Sequence, residues 1–186
     1  MATPVHILGI SGSLRAGSLN TALLREAAGL LPPDATLSIA DLSHIPLYND
    51  DVQKQGPPEA VQHFKQAIAD ADALLFGVAE YNYSISGVLK NAIDWASRPL
   101  DTTPLANMPA SMVGSGGRFG TVRAQMHLRM ILSALNVFVL PKPELMLQFG
   151  HRMFDAEGHL TDDETRELLR EQVHALVAWT RRLRGE

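Results

Sequence analysis

Apolar positions along this chain follow two alternating patterns. Short apolar runs at residues 5–10, 36–40, 73–78, 110–114 and 136–140 have the length and composition of strands. The segments between them carry a helical period. Leu19, Leu23, Ala27 and Leu30 share one face of a first helix that begins near Ser18, and Val61, Phe64, Ile68 and Ala71 share one face of a second. Further helices are predicted at about 87–97 and 119–135. A last helix opens on the capping-box spelling Thr161-Asp162-Asp163-Glu164 and carries Leu169, Val173, Leu176 and Leu183 toward the core.

Strand followed by helix, repeated along the chain, predicts an α/β fold: a five-stranded parallel sheet with helices on both faces, since parallel neighbours need crossovers and crossovers are right-handed. In such a sheet ligands sit beyond the carboxyl ends of the strands, where strand order reverses. For the order 2-1-3-4-5 that place lies between strands 1 and 3. The 186 residues, free of repeats and linkers, are expected to form one domain over 1–186.

Composition narrows the chemistry. A net charge of -4 leaves no basic field for nucleic acid or an anionic membrane, so a bound phosphate must be neutralised locally. The chain has no cysteine, which removes disulfides, thiolate nucleophiles and iron–sulfur ligation, and any redox chemistry must come from a cofactor. The seven histidines show neither a His-x-His pair nor H-E-x-x-H, so no metal site is expected. Residues 1–4 lack a charged and then apolar leader, and no apolar run reaches the ~20 residues of a membrane span, which predicts a cytoplasmic protein.

The stretch Gly9-Ile10-Ser11-Gly12-Ser13-Leu14-Arg15-Ala16-Gly17-Ser18-Leu19-Asn20 joins the first strand to the first helix. Small residues there let backbone N–H groups converge at the positive end of a helix dipole, and Arg15 adds a formal charge. A triphosphate loop is excluded because Ser18 stands where its lysine belongs, and the G-x-G-x-x-G dinucleotide frame is absent. Ser11, Ser13, Ser18, Asn20 and Arg15 suit a terminal phosphate. The spelling also fits an ordinary polar turn with Ser18 as helix cap.

Two more loops reach the same rim. Ala79-Glu80-Tyr81-Asn82-Tyr83-Ser84-Ile85-Ser86-Gly87 follows strand 3, and Val113-Gly114-Ser115-Gly116-Gly117-Arg118-Phe119-Gly120 ends strand 4. Tyr81 or Tyr83 offers a wall for a planar ring, and exposed amides around Asn82 and Ser115 to Gly117 suit a heteroaromatic edge. FMN, with one phosphate and such an edge, accounts for all three loops.

Gly12-Ser13-Leu14-Arg15-x-Gly17-Ser18-x-Asn20, Glu80-Tyr81-Asn82-Tyr83-Ser84 and Gly87-x-Leu89-Lys90-Asn91-x-Ile93-Asp94-Trp95 together resemble the NAD(P)H-dependent FMN reductase family, including its quinone- and chromate-reducing members. The resemblance implies a flavodoxin-like fold, FMN as cofactor, NADPH or NADH as co-substrate, a small-molecule electron acceptor, and a homodimer or homotetramer with flavins near a subunit interface. It also implies that Ser13, Arg15, Ser18, Leu19 and Asn20 bind the FMN phosphate, that Glu80, Tyr81, Asn82 and Tyr83 hold the isoalloxazine, and that Ser115, Gly116 and Gly117 meet its pyrimidine side. Ala79 departs from the family's proline and is expected to loosen the loop. Hydride transfer by a flavin needs no protein acid, base or nucleophile, so no catalytic side chain is assigned.

Plainer readings stand beside these. His151 and His159 flank a polar turn; Asp50-Asp51 reads as a solvated loop; Met126 and Met130 read as core or subunit-interface residues; Trp95 suits a helix buried at a dimer seam; and Tyr48 and Asn49 are placed to reach a neighbouring subunit's flavin. Two other functions compete: a flavodoxin-type electron carrier without its own nicotinamide reaction, and a phosphate-ligand sensor without flavin.

Overall fold

The computed structural model describes residues 3–186; Met1 and Ala2, part of the segment read for a leader, lie outside the described residues. In chain order the elements are β1 (Val5–Ser11), α1 (Leu19–Gly29), β2 (Ala35–Ile39), α2 (Asp50–Gln55), α3 (Glu59–Ala69), β3 (Ala73–Gly77), β4 (Glu80–Tyr81), β5 (Ser84–Ile85), α4 (Gly87–Ala96), β6 (Pro109–Ser115), α5 (Val122–Ala134), β7 (Phe138–Val139), β8 (Leu145–Leu147) and α6 (Asp163–Arg184). The main sheet is parallel, in the order β2-β1-β3-β6 with β7 and β8 following one another along the far edge of β6. This is the expected 2-1-3-4-5 arrangement with its fifth strand broken in two.

The central strands read as unbroken apolar runs because both faces of the sheet are covered. Leu8, Ile10, Leu74, Phe76, Ala110 and Met112 point to one side, where Phe64 and Ile68 of α3, Leu89 and Ile93 of α4, and Leu128 and Leu132 of α5 close a core. Val5, Ile7, Ala73, Leu75 and Val113 point to the other, against Leu23 and Ala27 of α1 and Leu169, Val173 and Leu176 of α6. Alternate residues of each strand thus feed two separate cores. Ser11 of β1 lies opposite Gly77 of β3 in the register, so the loops after these strands leave the sheet side by side.

Several boundaries differ from the sequence reading. Only Phe138 and Val139 of the expected strand at 136–140 pair, because Pro141 and Pro143 lack the N–H a ladder requires; the edge resumes at Leu145. Asp50 and Asp51 open the unforeseen α2, capped by the Asn49 side chain, which accepts from Asp51 N at 2.8 Å. The last helix is capped by Asp162 rather than Thr161, with Thr165 N donating to its carboxylate at 2.8 Å, and Leu183 ends half-exposed. The helix expected from 119 starts at Val122, since Gly116 to Gly120 form a tight turn. Met126 and Met130 are exposed rather than part of this chain's core. Trp95 is fully buried within the chain itself; its Nε1 donates to Pro46 O at 2.8 Å, and Tyr48 meets it edge-on. No helix among the described residues is long and apolar enough to cross a membrane.

Candidate functional site

The loop after β1 is folded on its own hydrogen bonds. Gly12 N donates to Gly77 O at 2.8 Å, Ser13 N to Ser11 Oγ at 3.3 Å, Arg15 N to Ser13 Oγ at 3.3 Å and Ser18 N to Arg15 O at 3.1 Å. Ser18 caps α1, accepting from Thr21 N at 3.3 Å. The cap and the cradle are therefore compatible: with Thr21 N satisfied, the N–H groups of Leu19 and Asn20 in the first turn still lack intrahelical partners and remain available to an anion. Arg15 is exposed and forms no ion pair among the described residues.

Asn20 uses its side chain differently from the sequence reading. Its Oδ1 accepts from Ser115 N at 2.8 Å and its Nδ2 donates to Ser115 O at 3.2 Å, so the amide ties the phosphate loop to the end of β6. Ser115 Oγ is buried with no hydrogen-bond partner among the described residues. A buried hydroxyl in that condition is satisfied by water or ligand.

The loop after β3 is a small hairpin. β4 and β5 pair antiparallel across Asn82 and Tyr83, with φ of 48° and 66°, the two left-handed positions of a type I′ turn. Asparagine tolerates that conformation, whereas a tyrosine there is strained, as at many ligand sites. Glu80 anchors the hairpin to α5: its carboxylate, 11% exposed, accepts from Ala124 N at 3.0 Å and pairs with Arg123 at 3.4 Å. Arg123 in turn lies between the rings of Tyr83 and Phe119, at 4.1 and 4.4 Å from their centroids.

The glycine loop after β6 divides into packed and open positions. A Cβ on Gly114 would fall 2.0 Å from Thr121 Oγ1, and one on Gly116 would fall 2.1 Å from Gly120 O; beside Gly117 nothing lies within 4 Å. The end of β8 and the segment after it brace this loop through Gly116 N to Leu147 O and Phe149 N to Gly117 O, each 3.0 Å.

Together these loops enclose a cleft of about 280 Å³. Ser13, Arg15, Ser18, Leu19, Asn20, Glu80, Tyr81 and Ser115 of the sequence candidates line it; Asn82, Tyr83, Gly116 and Gly117 are not among its walls. Gly17, Ala79 and His151 also line it, although the sequence places His151 only beside a polar turn. The signal for His151 is β8, which places the following turn beside β6 and is too short to show in the apolar pattern. Tyr48 and Asn49 stand away from the cleft: Tyr48 N donates to Asn91 Oδ1 at 2.8 Å, and Asn49 caps α2. Among the described residues no cluster of His, Asp or Glu is placed to hold a metal.

The sequence profile of the NADPH-dependent FMN reductase family matches residues 5–152. The chain belongs to that family. It is 55% identical over its whole length to an NAD(P)H-dependent FMN reductase of Pseudomonas aeruginosa, which it also covers completely. It is 42% identical to an NADPH:quinone oxidoreductase of Arabidopsis thaliana, with 98% of this chain and 95% of that protein aligned. Among solved structures, FerB, a flavoenzyme NAD(P)H:(acceptor) oxidoreductase from Paracoccus denitrificans, superposes with a TM-score of 0.87 at 32% identity, covering 96% of this chain and 98% of that one. The flavodoxin-like fold and an FMN-dependent NAD(P)H oxidoreductase activity follow, and the carrier alternative finds no support among these relatives.

The cleft fits the cofactor on its own chemistry. Among the described residues Arg15 is a cation without a counter-ion, the first turn of α1 presents free N–H groups, and Ser115 Oγ lacks a partner.

Proposed function

We propose that residues 1–186 form a single FMN-binding domain that takes electrons from NADPH or NADH and delivers them to small quinone-type acceptors in alternating half-reactions. The observation that carries this reading is the convergence of the loops after β1, β3 and β6 on one cleft containing an arginine and a buried hydroxyl that have no partner among the described residues. Quinone reductases among the relatives, including a 2-hydroxy-1,4-benzoquinone reductase from Burkholderia that is 38% identical, support the acceptor class.

Ser13, Arg15, Ser18 and the N–H groups of Leu19 and Asn20 hold the phosphate. Tyr81, Asn82 and Tyr83 flank the ring, and Ser115, Gly116 and Gly117 meet its polar edge. Glu80 acts by fixing the hairpin on α5, and Asn20 by fixing Ser115. Bound FMN supplies the hydride-accepting and electron-donating chemistry. The protein contributes orientation, hydrogen-bond donors beside the ring and an open face above it, with no side chain as acid or base.

The protein acts as a homodimer or homotetramer in the cytoplasm. Val122, Met126 and Met130 recur every four residues along one face of α5 and are exposed, with Phe119 exposed just before them, an apolar stripe suited to a second copy.

The test is anaerobic mixing of the FMN-loaded protein with NADPH, followed by steady-state kinetics with a benzoquinone. Rapid bleaching of the flavin band and parallel double-reciprocal lines are expected. Absence of bleaching, or intersecting lines, overturns the reading.

A further inference from the structure

We infer that His151 is a second cationic ligand for the phosphate of the bound mononucleotide and that it makes retention of the flavin depend on pH. This rests on the flavin reading above and extends it to a residue outside all three motifs.

His151 shares the walls of the 280 Å³ cleft with Ser13, Arg15 and Ser18, the groups assigned to the phosphate. Its place is fixed by backbone. Phe149 N and Gly150 N donate to Gly117 O and Gly116 O at 3.0 and 3.3 Å, and Arg152 N and Met153 N close the turn onto Phe149 O and Gly150 O at 3.0 and 2.9 Å. Phe149 holds the left-handed φ of 48° that starts this turn, and its ring meets the imidazole edge-on at 6.5 Å. Such a strained position at a ligand cleft persists only where the surroundings enforce it.

The imidazole is also uncommitted. His151 has no hydrogen-bond partner among the described residues, as His44 has none, whereas His6, His127, His159 and His174 are held by Ser38, Ser84, Asp155 and Leu30 respectively. A phosphate monoester carries a charge of about -1.5 to -2 near neutrality, and the cleft's one unpaired arginine answers a single unit of it. The other charged or titratable groups in the walls are Glu80, engaged by Arg123 and Ala124 N, and Tyr81; Arg152, beside His151 on its own turn, lies over the Phe149 ring. A protonated imidazole supplies the missing charge.

The experiment compares the parent with His151→Gln, which keeps a hydrogen-bond donor and removes the charge. Dissociation constants for FMN and for riboflavin are measured by flavin fluorescence at about pH 6 and about pH 8.5. The variant is expected to bind FMN about fivefold more weakly than the parent at the lower pH and equally at the higher, with riboflavin unaffected at both. Comparing variant with parent at each pH cancels the titration of the phosphate itself. Equal FMN affinity at the lower pH, or an equal loss for riboflavin, overturns the role of His151 and leaves the flavin site standing. Failure of the parent to bind FMN at either pH overturns both.

Discussion

Asn20 and Ser115 exchange two hydrogen bonds, Ser115 N to Asn20 Oδ1 at 2.8 Å and Asn20 Nδ2 to Ser115 O at 3.2 Å, and this pair locks the start of α1 to the end of β6. Both residues are buried, so truncating the amide strands an N–H and a C=O away from water. Asn20→Ala is expected to cost about 1–3 kcal/mol in urea unfolding. It should also weaken FMN binding without removing any charge, because Ser115 and the glycine loop lose their register on the phosphate loop. Unchanged stability would mean that water enters and replaces the amide.

Glu80 presents a comparable case at the other wall. Its carboxylate ties the β4–β5 hairpin to the first turn of α5 through Ala124 N and Arg123, and Arg123 is held between Tyr83 and Phe119. Glu80→Gln keeps the shape and removes the charge. The loss should be about 1 kcal/mol in thermal or urea unfolding, since the arginine is partly exposed and the ion pair is screened. FMN affinity should fall modestly through displacement of Tyr81. A large fall in kcat at saturating FMN with unchanged stability would instead assign the carboxylate a direct part in the reaction.

These two residues mark what sequence could and could not reveal. The strands feeding the site were legible because the sheet is covered on both faces, which turns β1, β3 and β6 into continuous apolar runs. The three loops were legible because their glycines, hydroxyls and aromatics break that apolar rhythm at the carboxyl ends of those strands. The partner of Asn20 was not, since nothing local says that its amide reaches Ser115 rather than a phosphate. Neither was the hairpin, whose two-residue strands are too short to show a period and whose turn is Asn82-Tyr83 rather than a glycine pair. β8 was hidden behind Pro141 and Pro143, and with it the turn that brings His151 to the cleft.

A third prediction concerns pH. The Asp162 carboxyl is held below the ordinary carboxylate range by hydrogen bonds from Thr165, and Asp155 likewise by His159 N and the His159 ring. A carboxylate that is harder to protonate in the folded state stabilises the fold above its unfolded pKa, and that contribution is lost as pH falls through the folded value. Asp162→Ala should therefore lower Tm at neutral pH by removing the cap of α6, and the gap between variant and parent should narrow as pH drops below about 4. A gap that stays constant down to about pH 2 would mean that the charge plays no part in the cap.

The glycine loop offers a paired test that separates folding from binding. At Gly116 an added Cβ meets the backbone of Gly120, 2.1 Å from its carbonyl oxygen and 2.7 Å from its carbonyl carbon, and backbone on a tight turn cannot swing aside as a side chain can. Gly116→Ala should lower Tm and, because Gly116 N holds Leu147 O, loosen the turn that carries His151. At Gly117 an added Cβ meets nothing within 4 Å and the backbone φ is not left-handed, so Gly117→Ala should leave Tm close to the parent's. Its methyl would nevertheless stand in the space assigned to the flavin's polar edge. FMN titration of the two variants at a temperature where both are folded should then show a clear loss of affinity in Gly117→Ala, with thermal melts of the flavin-free proteins separating the pair in the opposite order. Full FMN affinity in Gly117→Ala would move the ring away from this loop and toward the Tyr81 wall.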